Sequence, residues 1–402
     1  MRTRYRLLPL SLLAALLLVA PLTASAGAPK VDDEHYAKGR AIVEKAIAYL
    51  RANQDAETGG WSVNPDGPAF PAITALVVQA MLSEPNADPD DPVIARGVDY
   101  LLSKRQPDGG IYDRLLPNYN TSIALGALAL TKREGIDEII RDAQEFVVGL
   151  QWDEGDLDPN GAAIDPKHPW YGGAGYGSSG RPDNSNLNLM IQGLYDSGYD
   201  CDSPPIQRAV QFLQRTQMHD RVNDMPYADG SSQGGFIYAT SPNKDEIGVG
   251  ESKAGMIDET LDDGTVVSRF RCYGSMTYAG FKSYVYAQLD RDDERVRLAY
   301  DWLRRHYTLD ENPGLGQQGY YYYLLMFSRA LGAWGEPTIT TIDPKTGLDS
   351  GDVRYWANDL IDQVATLQRP DGSFVNDADR WMEGDPNLVT AYVVLALQEA
   401  LE

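Results

Sequence analysis

The sequence predicts an all-α fold, a closed (α/α)6 toroid in which six inner helices are surrounded by six outer helices. Helices with one apolar stripe alternate along the chain with segments that are apolar on every side. The striped helices end near Gln and lead into a Gly-rich turn, as in residues 49–54 and 59–61. The last apolar segment, 389–397, is as apolar as the interior ones, whereas an open helical stack usually ends in a polar cap. These observations favour a closed ring.

The outer helices are recognised by their apolar stripes. Ile94, Val98 and Leu101 recur at helical spacing on one face, and Ile206 and Val210 do so in another copy. One apolar face indicates a helix that is buried on one side only. We predict outer helices at 38–53, 92–105, 137–151, 204–217, 293–306 and 352–368.

The inner helices are predicted where apolar or small residues cover the whole circumference, as in 123–130 and 187–194. Such helices are covered by protein on every side. The repeats continue without a linker-like break, so residues 38–402 are predicted to form one domain. We predict inner helices at 70–83, 119–132, 185–198, 274–290, 318–332 and 387–401.

The N-terminus has the order of a cleavable export signal. An arginine-rich start (2–6) precedes an apolar run (7–22) and the small residues 24–26. Prolines interrupt the run, and it is shorter than the roughly 20 apolar residues that a membrane span needs. We therefore predict a signal peptide over 1–26, an N-terminal extension over 27–37, no membrane span, and a periplasmic or extracellular protein.

The charge of the chain argues against a nucleic-acid partner. The formal net charge is -23, and Lys and Arg do not cluster into a basic patch. Nucleic-acid binding requires such a patch to neutralise phosphates. The acidic surplus is typical of a surface that keeps an exported protein in solution.

The repeat motifs resemble those of a known superfamily. The Tyr/Phe-Leu-x3-Gln helix end, the Gly-Gly-aromatic turn and the inner-helix start at Thr-Ala or Ser-Asn are similar to the repeats of squalene and other terpene cyclases and of protein prenyltransferase β subunits. The resemblance covers most of 38–401. It implies the toroid fold, on which cyclases, transferases and non-enzymatic domains all occur.

One tetrapeptide matches the acid motif of terpene cyclases that start by protonation. In those enzymes the central acid of Asp-x-Asp-Asp protonates an alkene, and residues 88–91 have this pattern. Here the motif follows an inner helix and precedes an outer one, with Pro92 at the first helical position. We interpret Asp91 as a helix N-cap, because the protonating acid must face the cavity.

The prenyltransferase resemblance implies a zinc site made by Asp, Cys and His. Cys272 lies in the matching segment, but Phe270 stands where the Asp should be, and 387–389 contains no His. One thiolate does not make a zinc site. We predict no metal and no cofactor, keep Cys272 as a candidate catalytic residue near the mouth, and expect no disulfide with Cys201 at the other rim.

Two long connections, 152–184 and 218–273, both join an outer helix to the next inner helix. Because both connections follow outer helices, they should emerge at the same rim. We expect them to roof one mouth of the toroid and to be functional, as long loops in compact domains often are. The candidate ligand-binding residues at this mouth are His168, Trp170, Tyr171, Asn120, Asn184, Asn186, Tyr273, Tyr278, Tyr321 and Trp381.

Asp183 is the candidate catalytic acid of the mouth. It opens an inner helix beside Asn184 and Asn186. Loss of water would raise the pKa of its carboxyl and suit a general acid, whereas hydrogen bonds from the helix N-terminus would lower the pKa and make it a cap. Glu383 and Asp385 are two residues apart in a loop, and we expect both to be solvated.

Three functions remain open. An aromatic cavity with a few amides suits an apolar or terpenoid-like ligand, a lipid or another small molecule. The first hypothesis is an exported enzyme of the terpene cyclase and prenyltransferase superfamily with an unassigned reaction, and the second is a non-catalytic binding module on the same fold. The third is a polysaccharide-active (α/α)6 enzyme, which needs two carboxylates roughly 5–9.5 Å apart.

Overall fold

The computed structural model describes residues 30–63, 67–177, 180–261 and 263–402, so the predicted export signal lies outside the described residues. The described part contains twelve α-helices. The outer helices are α1 (Asp33–Ala52), α3 (Pro92–Ser103), α5 (Ile136–Val148), α7 (Pro204–Thr216), α9 (Glu294–Arg305) and α11 (Trp356–Leu367). The inner helices are α2 (Pro71–Leu82), α4 (Pro117–Ala129), α6 (Asn184–Asp196), α8 (Gly274–Tyr286), α10 (Tyr320–Trp334) and α12 (Pro386–Leu401). The predicted series of helices is confirmed to within a few residues at each end.

The burial of each helix follows its sequence pattern. All residues of α2 from Pro71 to Met81 are buried, and this stretch contains no charged side chain. Helix α7 instead buries one stripe, which includes Ile206, Val210 and Leu213. Each inner helix packs against the next along the chain, and α12 packs against α2 as well as α10. The outer helices cover this inner layer.

The Gln that ends an outer helix explains the repeat motif. Its side-chain amide donates to a carbonyl of the following turn and to a carbonyl of the next outer helix, which ties neighbouring repeats together. The joints are Gln54 to Gly59 and Val93, Gln151 to Gly172 and Pro205, Gln217 to Gly234 and Arg295, and Gln368 to Gly372 and Ile42. In the last of these, the amide of Gln368 reaches the first helix of the chain at 2.9 Å.

The Thr near the start of an inner helix has an equally local role. The hydroxyl of Thr74 accepts the backbone N–H of Trp61 at 3.0 Å, and Thr390 accepts that of Phe374 at the same distance. These hydroxyls satisfy N–H groups of the Gly-Gly-aromatic turns, which would otherwise be buried without a partner. The motif therefore has a structural role, in which it holds the turn against the inner helix, and is not a catalytic signature.

Two short sheets correct the all-α prediction. Strands β1 (Met256–Thr260) and β2 (Val266–Phe270) form one antiparallel pair, and β3 (Ile339–Ile342) and β4 (Asp349–Arg354) form another. Helix α11 begins at Trp356 rather than at the predicted 352 because β4 occupies the residues before it. The strands are short, and neither β1 nor β4 contains a buried residue, so these hairpins lack the buried alternation by which strands are recognised.

The interpretation of the Asp-x-Asp-Asp motif as a cap is confirmed. Asp91 is the N-cap of α3, and its carboxylate accepts the N–H of Val93 at 2.9 Å. Arg51 also donates to this carboxylate, at 3.0 Å. Among the residues that the structure describes, no helix combines the length and the apolar character that a membrane crossing requires.

Candidate functional site

A cavity of about 180 Å³ lies where the inner helices α4, α6, α8 and α10 begin. We call it the mouth cavity. Its walls come from these helices, from both long connections and from the segment before α12. The lining residues are Leu116, Tyr119, Tyr176, Ser185, Leu189, Tyr238, Tyr273, Ser275, Met276, Gly319, Tyr322, Trp381, Met382, Glu383 and Tyr392.

The wall is mostly aromatic, and its rings are held by one another. The hydroxyls of Tyr119 and Tyr392 lie 3.3 Å apart, and the ring centroids of Tyr322 and Tyr392 lie 6.0 Å apart. The side-chain amide of Asn188 donates to the hydroxyl of Tyr322 at 3.3 Å. Fixed aromatic walls give a cavity a defined shape for an apolar ligand.

Two segments beside the mouth cavity have strained backbones. Leu116 has φ 52°, and Trp381 and Met382 have φ 63° and 65°, in the left-handed region that bulky residues avoid. The side-chain amide of Asn120 holds the first segment by donating to the carbonyls of Leu115 and Leu116 at 2.8 and 3.0 Å. Strain of this kind collects at ligand sites, where the surrounding structure maintains it.

Glu383 is the charged residue in the wall of the mouth cavity. Its side chain accepts the backbone N–H of Tyr322 at 2.8 Å and the amide of Asn376 at 2.7 Å. Burial raises the pKa of Glu383, although these two hydrogen bonds oppose the rise. The carboxyl therefore holds its proton more tightly than a solvated one while keeping two hydrogen-bond donors.

The expectation that Glu383 and Asp385 are solvated is wrong, since they are only 1% and 6% exposed. Asp385 is the N-cap of α12 and accepts the N–H of Leu388 at 2.8 Å, and burial raises its pKa to about 6. The position of Glu383 could have been predicted from the sequence. An Asp before Pro386 marks a helix start, which puts Glu383 at the rim where the inner helices begin.

Asp183 is a buried helix cap, and the structure shows both influences on its pKa that the sequence left open. It is 1% exposed, and it caps α6 by accepting the N–H of Asn186 at 3.0 Å. Burial raises the pKa of its carboxyl, while the Asn186 hydrogen bonds and the charge of Arg181 act in the other direction. Asp183 does not line the mouth cavity but interacts with the wall residue Tyr238. Its predicted catalytic role stays a prediction.

Of the predicted ligand-binding residues, Tyr273 and Trp381 line the mouth cavity. Tyr321 does not, because its hydroxyl points to the carbonyl of Val375, and the neighbouring Tyr322 is the wall residue. Tyr278 packs in the core against Phe327, with ring centroids 5.2 Å apart.

The remaining predicted residues lie outside the lining of the mouth cavity. His168 lies beside Trp170, and Trp170 and Tyr171 belong to a separate apolar cluster within the first long connection. The amide of Asn184 donates to Thr216 and to the carbonyl of Ile237. Asn186 donates to both oxygens of Asp183, at 3.1 and 3.0 Å. Their predicted role in ligand binding stays a prediction.

Cys272 lies in a different groove, together with Trp302, Arg305 and His306. Burial raises the pKa of its thiol well above the usual value, so the thiolate form that nucleophiles and zinc ligands need is disfavoured. Cys272 and Cys201 are both free thiols. The described ranges contain no group of three or more His, Cys, Asp or Glu arranged to hold a metal ion.

The inner helices also enclose polar groups at their opposite ends. Lys282 is fully buried there and donates to Gln192, and Arg329 donates to Gln79 at 3.3 Å. Burial raises the pKa of the nearby Glu399 to about 7 from its ordinary value near 4.5. This second polar region belongs to the same ring of helices but not to the mouth cavity.

The raised pKa of Glu399 predicts a pH-dependent stability. The folded state keeps a proton that the unfolded state releases above about pH 4.5, so stability should fall as the pH rises to about 7. Glu399→Gln should remove this fall, which we put at about 1–3 kcal/mol. Urea unfolding at pH 5 and pH 8 measures this fall in the free energy of unfolding. Glu336→Gln, which changes an exposed residue, is the control. The same pH dependence in Glu399→Gln and the wild type would contradict the assignment.

Comparison with known proteins agrees with this fold. Residues 66–239 match the family model of the squalene-hopene cyclase C-terminal domain. The structure of the type II terpene cyclase MstE from Scytonema, in complex with its substrate geranylgeranyl dihydroxybenzoate, is 14% identical with a TM-score of 0.52, over 92% of this chain and 98% of that one. No curated protein matches the sequence. The predicted resemblance to the terpenoid cyclase-like superfamily is confirmed.

A glycoside hydrolase shares the same architecture. The GH76A alpha-1,6-mannanase from Salegentibacter sp. is 10% identical with a TM-score of 0.55, over 90% of this chain and 99% of that one. At such low identity, both structural likenesses establish the fold alone.

Proposed function

We propose that this terpenoid cyclase-like protein binds an apolar, isoprenoid-like ligand in the mouth cavity. The proposal rests on the composition of the wall, which consists mainly of tyrosine, tryptophan, leucine and methionine side chains and includes Glu383. Small-molecule sites are mostly apolar, with a few polar groups that orient the ligand. Whether or not a reaction follows, such a wall favours an apolar body with one polar contact.

The mouth cavity must widen to admit a long chain. Its volume of about 180 Å³ is below the roughly 300–1,000 Å³ of sites that enclose a whole drug-sized ligand. Trp381 and Met382 are 45% and 44% exposed and lie on strained backbone. We infer that segment 380–383 moves outward when the ligand enters.

Native mass spectrometry of the purified protein with geranylgeraniol tests the proposal. We expect a one-to-one complex that survives buffer exchange, and no complex with alpha-1,6-mannotriose, the sugar bound to an inactive variant of the similar mannanase. Binding of the mannotriose without geranylgeraniol would instead support a polysaccharide-active protein.

Removal of one wall ring should weaken this binding. Tyr322→Leu takes away aromatic surface and the hydroxyl that Asn188 contacts, so we expect about tenfold weaker binding of geranylgeraniol. Tyr321→Leu is the matched control, because Tyr321 is the neighbouring tyrosine of α10 but does not line the cavity. Calorimetric titration compares the two variants, and equal losses in both would argue against the mouth cavity.

A second function, proton transfer to the bound ligand, is favoured by Glu383. Its pKa is raised by burial, so the carboxyl holds its proton to a higher pH than a solvated one. When the proton passes to an alkene carbon, the π bond breaks and a carbocation forms on the ligand, which returns to an alkene when a neighbouring carbon gives a proton back to the carboxylate. The carboxylate meanwhile keeps the N–H groups of Tyr322 and Asn376 as partners. Glu383 is therefore a stronger candidate acid than Asp183 or Cys272, neither of which lines the cavity.

We also infer that the helices form a closed ring. The packing of α12 on α2 and the hydrogen bond from Gln368 to the carbonyl of Ile42 support this. Lys38 and Asp362 lie across the junction with their charged atoms 2.6 Å apart. The double variant Lys38→Cys with Asp362→Cys should therefore be joined within the monomer by a short thiol-reactive cross-linker that spans the length of the original ion pair. Cross-links that form only between different molecules would indicate an open stack of helices.

Export through the signal at 1–26 is likewise a proposal, supported by the sequence pattern alone. N-terminal sequencing of the protein recovered outside the cytoplasm should begin near Gly27. Recovery of the intact N-terminus from the cytoplasm would contradict it.

A further inference from the structure

We propose that a chloride-sized anion binds between the inner helices, in a second cavity beside the mouth cavity. This axial cavity has a volume of about 20 Å³, and its walls come from α2, α4, α6, α10 and α12. It shares Tyr119, Tyr322 and Tyr392 with the mouth cavity and reaches Gln79 and Arg329. The inference is independent of the ligand proposed above, because the charged groups that carry it do not line the mouth cavity.

Arg329 is a buried cation in the wall of the axial cavity. It is only 7% exposed. Within the described part of the chain, no carboxylate lies at ion-pair distance from its guanidinium. The guanidinium donates to the side-chain oxygen of Gln79 at 3.3 Å. Because an arginine does not release its proton, the cost of burying this charge has to be offset by a partner.

Arg215 shows how the same chain satisfies a buried guanidinium. It is 2% exposed and donates to the carboxylate of Asp224 at 2.8 and 2.9 Å. It also donates to the carbonyls of His168 and Pro166, both at 2.8 Å. The described partners of the Arg329 guanidinium are far fewer, which leaves N–H groups for a ligand in the axial cavity.

A second buried cation, Lys282, lies close to Arg329. Its ammonium donates to the side-chain oxygen of Gln192, and it too has no carboxylate at ion-pair distance among the described residues. Burial lowers the pKa of Lys282 well below its ordinary value, and the charge of Arg329 adds to this effect. The charges of Asp196 and Glu399 act in the other direction without reversing it. An anion near Arg329 would therefore stabilise the protonated form of Lys282 as well.

Two glutamines hold Asp196, the carboxylate of the cavity wall, away from both cations. Gln79 accepts from Arg329 and donates to Asp196 at 3.4 Å. Gln192 accepts from Lys282 and donates to Asp196 at 2.6 Å. Each amide thus occupies the place where a direct ion pair would form. The carboxylate is bound by neutral groups, and the cations are left to a separate anion.

The size of the axial cavity limits the anion. Its volume of about 20 Å³ has room for one particle of the size of a water molecule, which needs roughly 10–15 Å³ on this measure. Chloride is only slightly larger, whereas sulfate and phosphate have five heavy atoms. A water molecule would also fit, but it would leave the buried positive charge uncompensated. The surrounding polar groups come from four inner helices, which the anion would tie together: Gln79 from α2, Gln192 from α6, Lys282 from α8 and Arg329 from α10.

Bromide, which replaces chloride and gives an anomalous X-ray signal, tests the site in the wild-type protein. In crystals grown without chloride and soaked in sodium bromide, we expect an anomalous peak in the axial cavity beside Arg329. Calorimetric titration of chloride in gluconate buffer at constant ionic strength should show one site of millimolar affinity, and sulfate should not bind there. Absence of the peak would overturn the inference, as would a peak without calorimetric binding of chloride, which would mean binding at crystal concentration only.

A pair of variants tests the role of the buried charge. Arg329→Gln should weaken the binding of chloride at least about tenfold, because the fixed cation of the site is lost. Arg291→Gln removes an equal charge from the surface, where Arg291 pairs with Glu336, and should keep the wild-type affinity. Circular dichroism checks that both variants are folded, and the bromide experiment decides the matter if Arg329→Gln is not. Equal chloride affinity in folded Arg329→Gln and the wild type would contradict the inference and leave the proposed function standing.

Discussion

Glu383→Gln is expected to lower deuterium incorporation from D2O into bound geranylgeraniol by a factor of about 100 or more. The carboxyl is the acid in the wall of the mouth cavity, and burial raises its pKa. Glutamine has a similar shape but no proton of comparable acidity. Binding of geranylgeraniol should remain, since the walls are unchanged. Mass spectrometry of the recovered ligand measures the incorporation.

The controls separate three outcomes of this experiment. Asp183→Asn should retain at least a tenth of the incorporation, because Asp183 caps α6 behind the wall and Asn is a good cap. Loss of incorporation in Asp183→Asn with retention in Glu383→Gln would assign the acid to Asp183. A wild-type protein that binds geranylgeraniol without any incorporation would be a binding module.

Gly172→Ala is expected to destabilise the fold by about 3–5 kcal/mol. Gly172 has φ +80°, and a Cβ there would lie 1.9 Å from the carbonyl oxygen of Arg208, which is backbone of the next outer helix. The turn would have to leave that helix and break the joint made by Gln151. Because this turn begins the roof of the mouth cavity, ligand binding should weaken as well.

Gly161→Ala is the matched control for Gly172→Ala. Gly161 has φ +82°, but a Cβ there would meet no atom within 4 Å. Gly161→Ala should lower the free energy of unfolding only by the cost of placing alanine on a left-handed backbone, about 1 kcal/mol. Urea unfolding of both variants measures the difference. If both variants lose the same free energy of unfolding, backbone strain rather than close packing of neighbouring repeats explains why position 172 needs glycine.

The helices could be predicted because their burial is repeated in the sequence. An inner helix such as α2 is covered on every side and an outer helix such as α7 on one, and both patterns are visible without a structure. The cap at Asp91 was equally local, since a cap depends on residues three positions away. The hairpin β3–β4 was missed because its pairing is confined to a short connection in which β4 is largely exposed.

A cavity does lie at the rim that the long connections predicted, but only some of its lining residues could be predicted. The long connections do supply Tyr176, Tyr238 and Tyr273 to the mouth cavity. Tyr321 was chosen where Tyr322 is the wall residue, because consecutive residues of a helix differ by about 100° in direction. The side chain of Trp170 does not reach the cavity but packs within its own loop, against Trp152.

The location of the ligand is tested most directly by photo-labelling. A geranylgeraniol analogue with a diazirine on its chain would be bound, irradiated, and mapped by peptide mass spectrometry. We expect labels in 273–276, 319–322 and 380–383, the segments that line the mouth cavity. Labels concentrated instead in 304–310 and 341–344, which line a separate groove beside β3, would contradict the account.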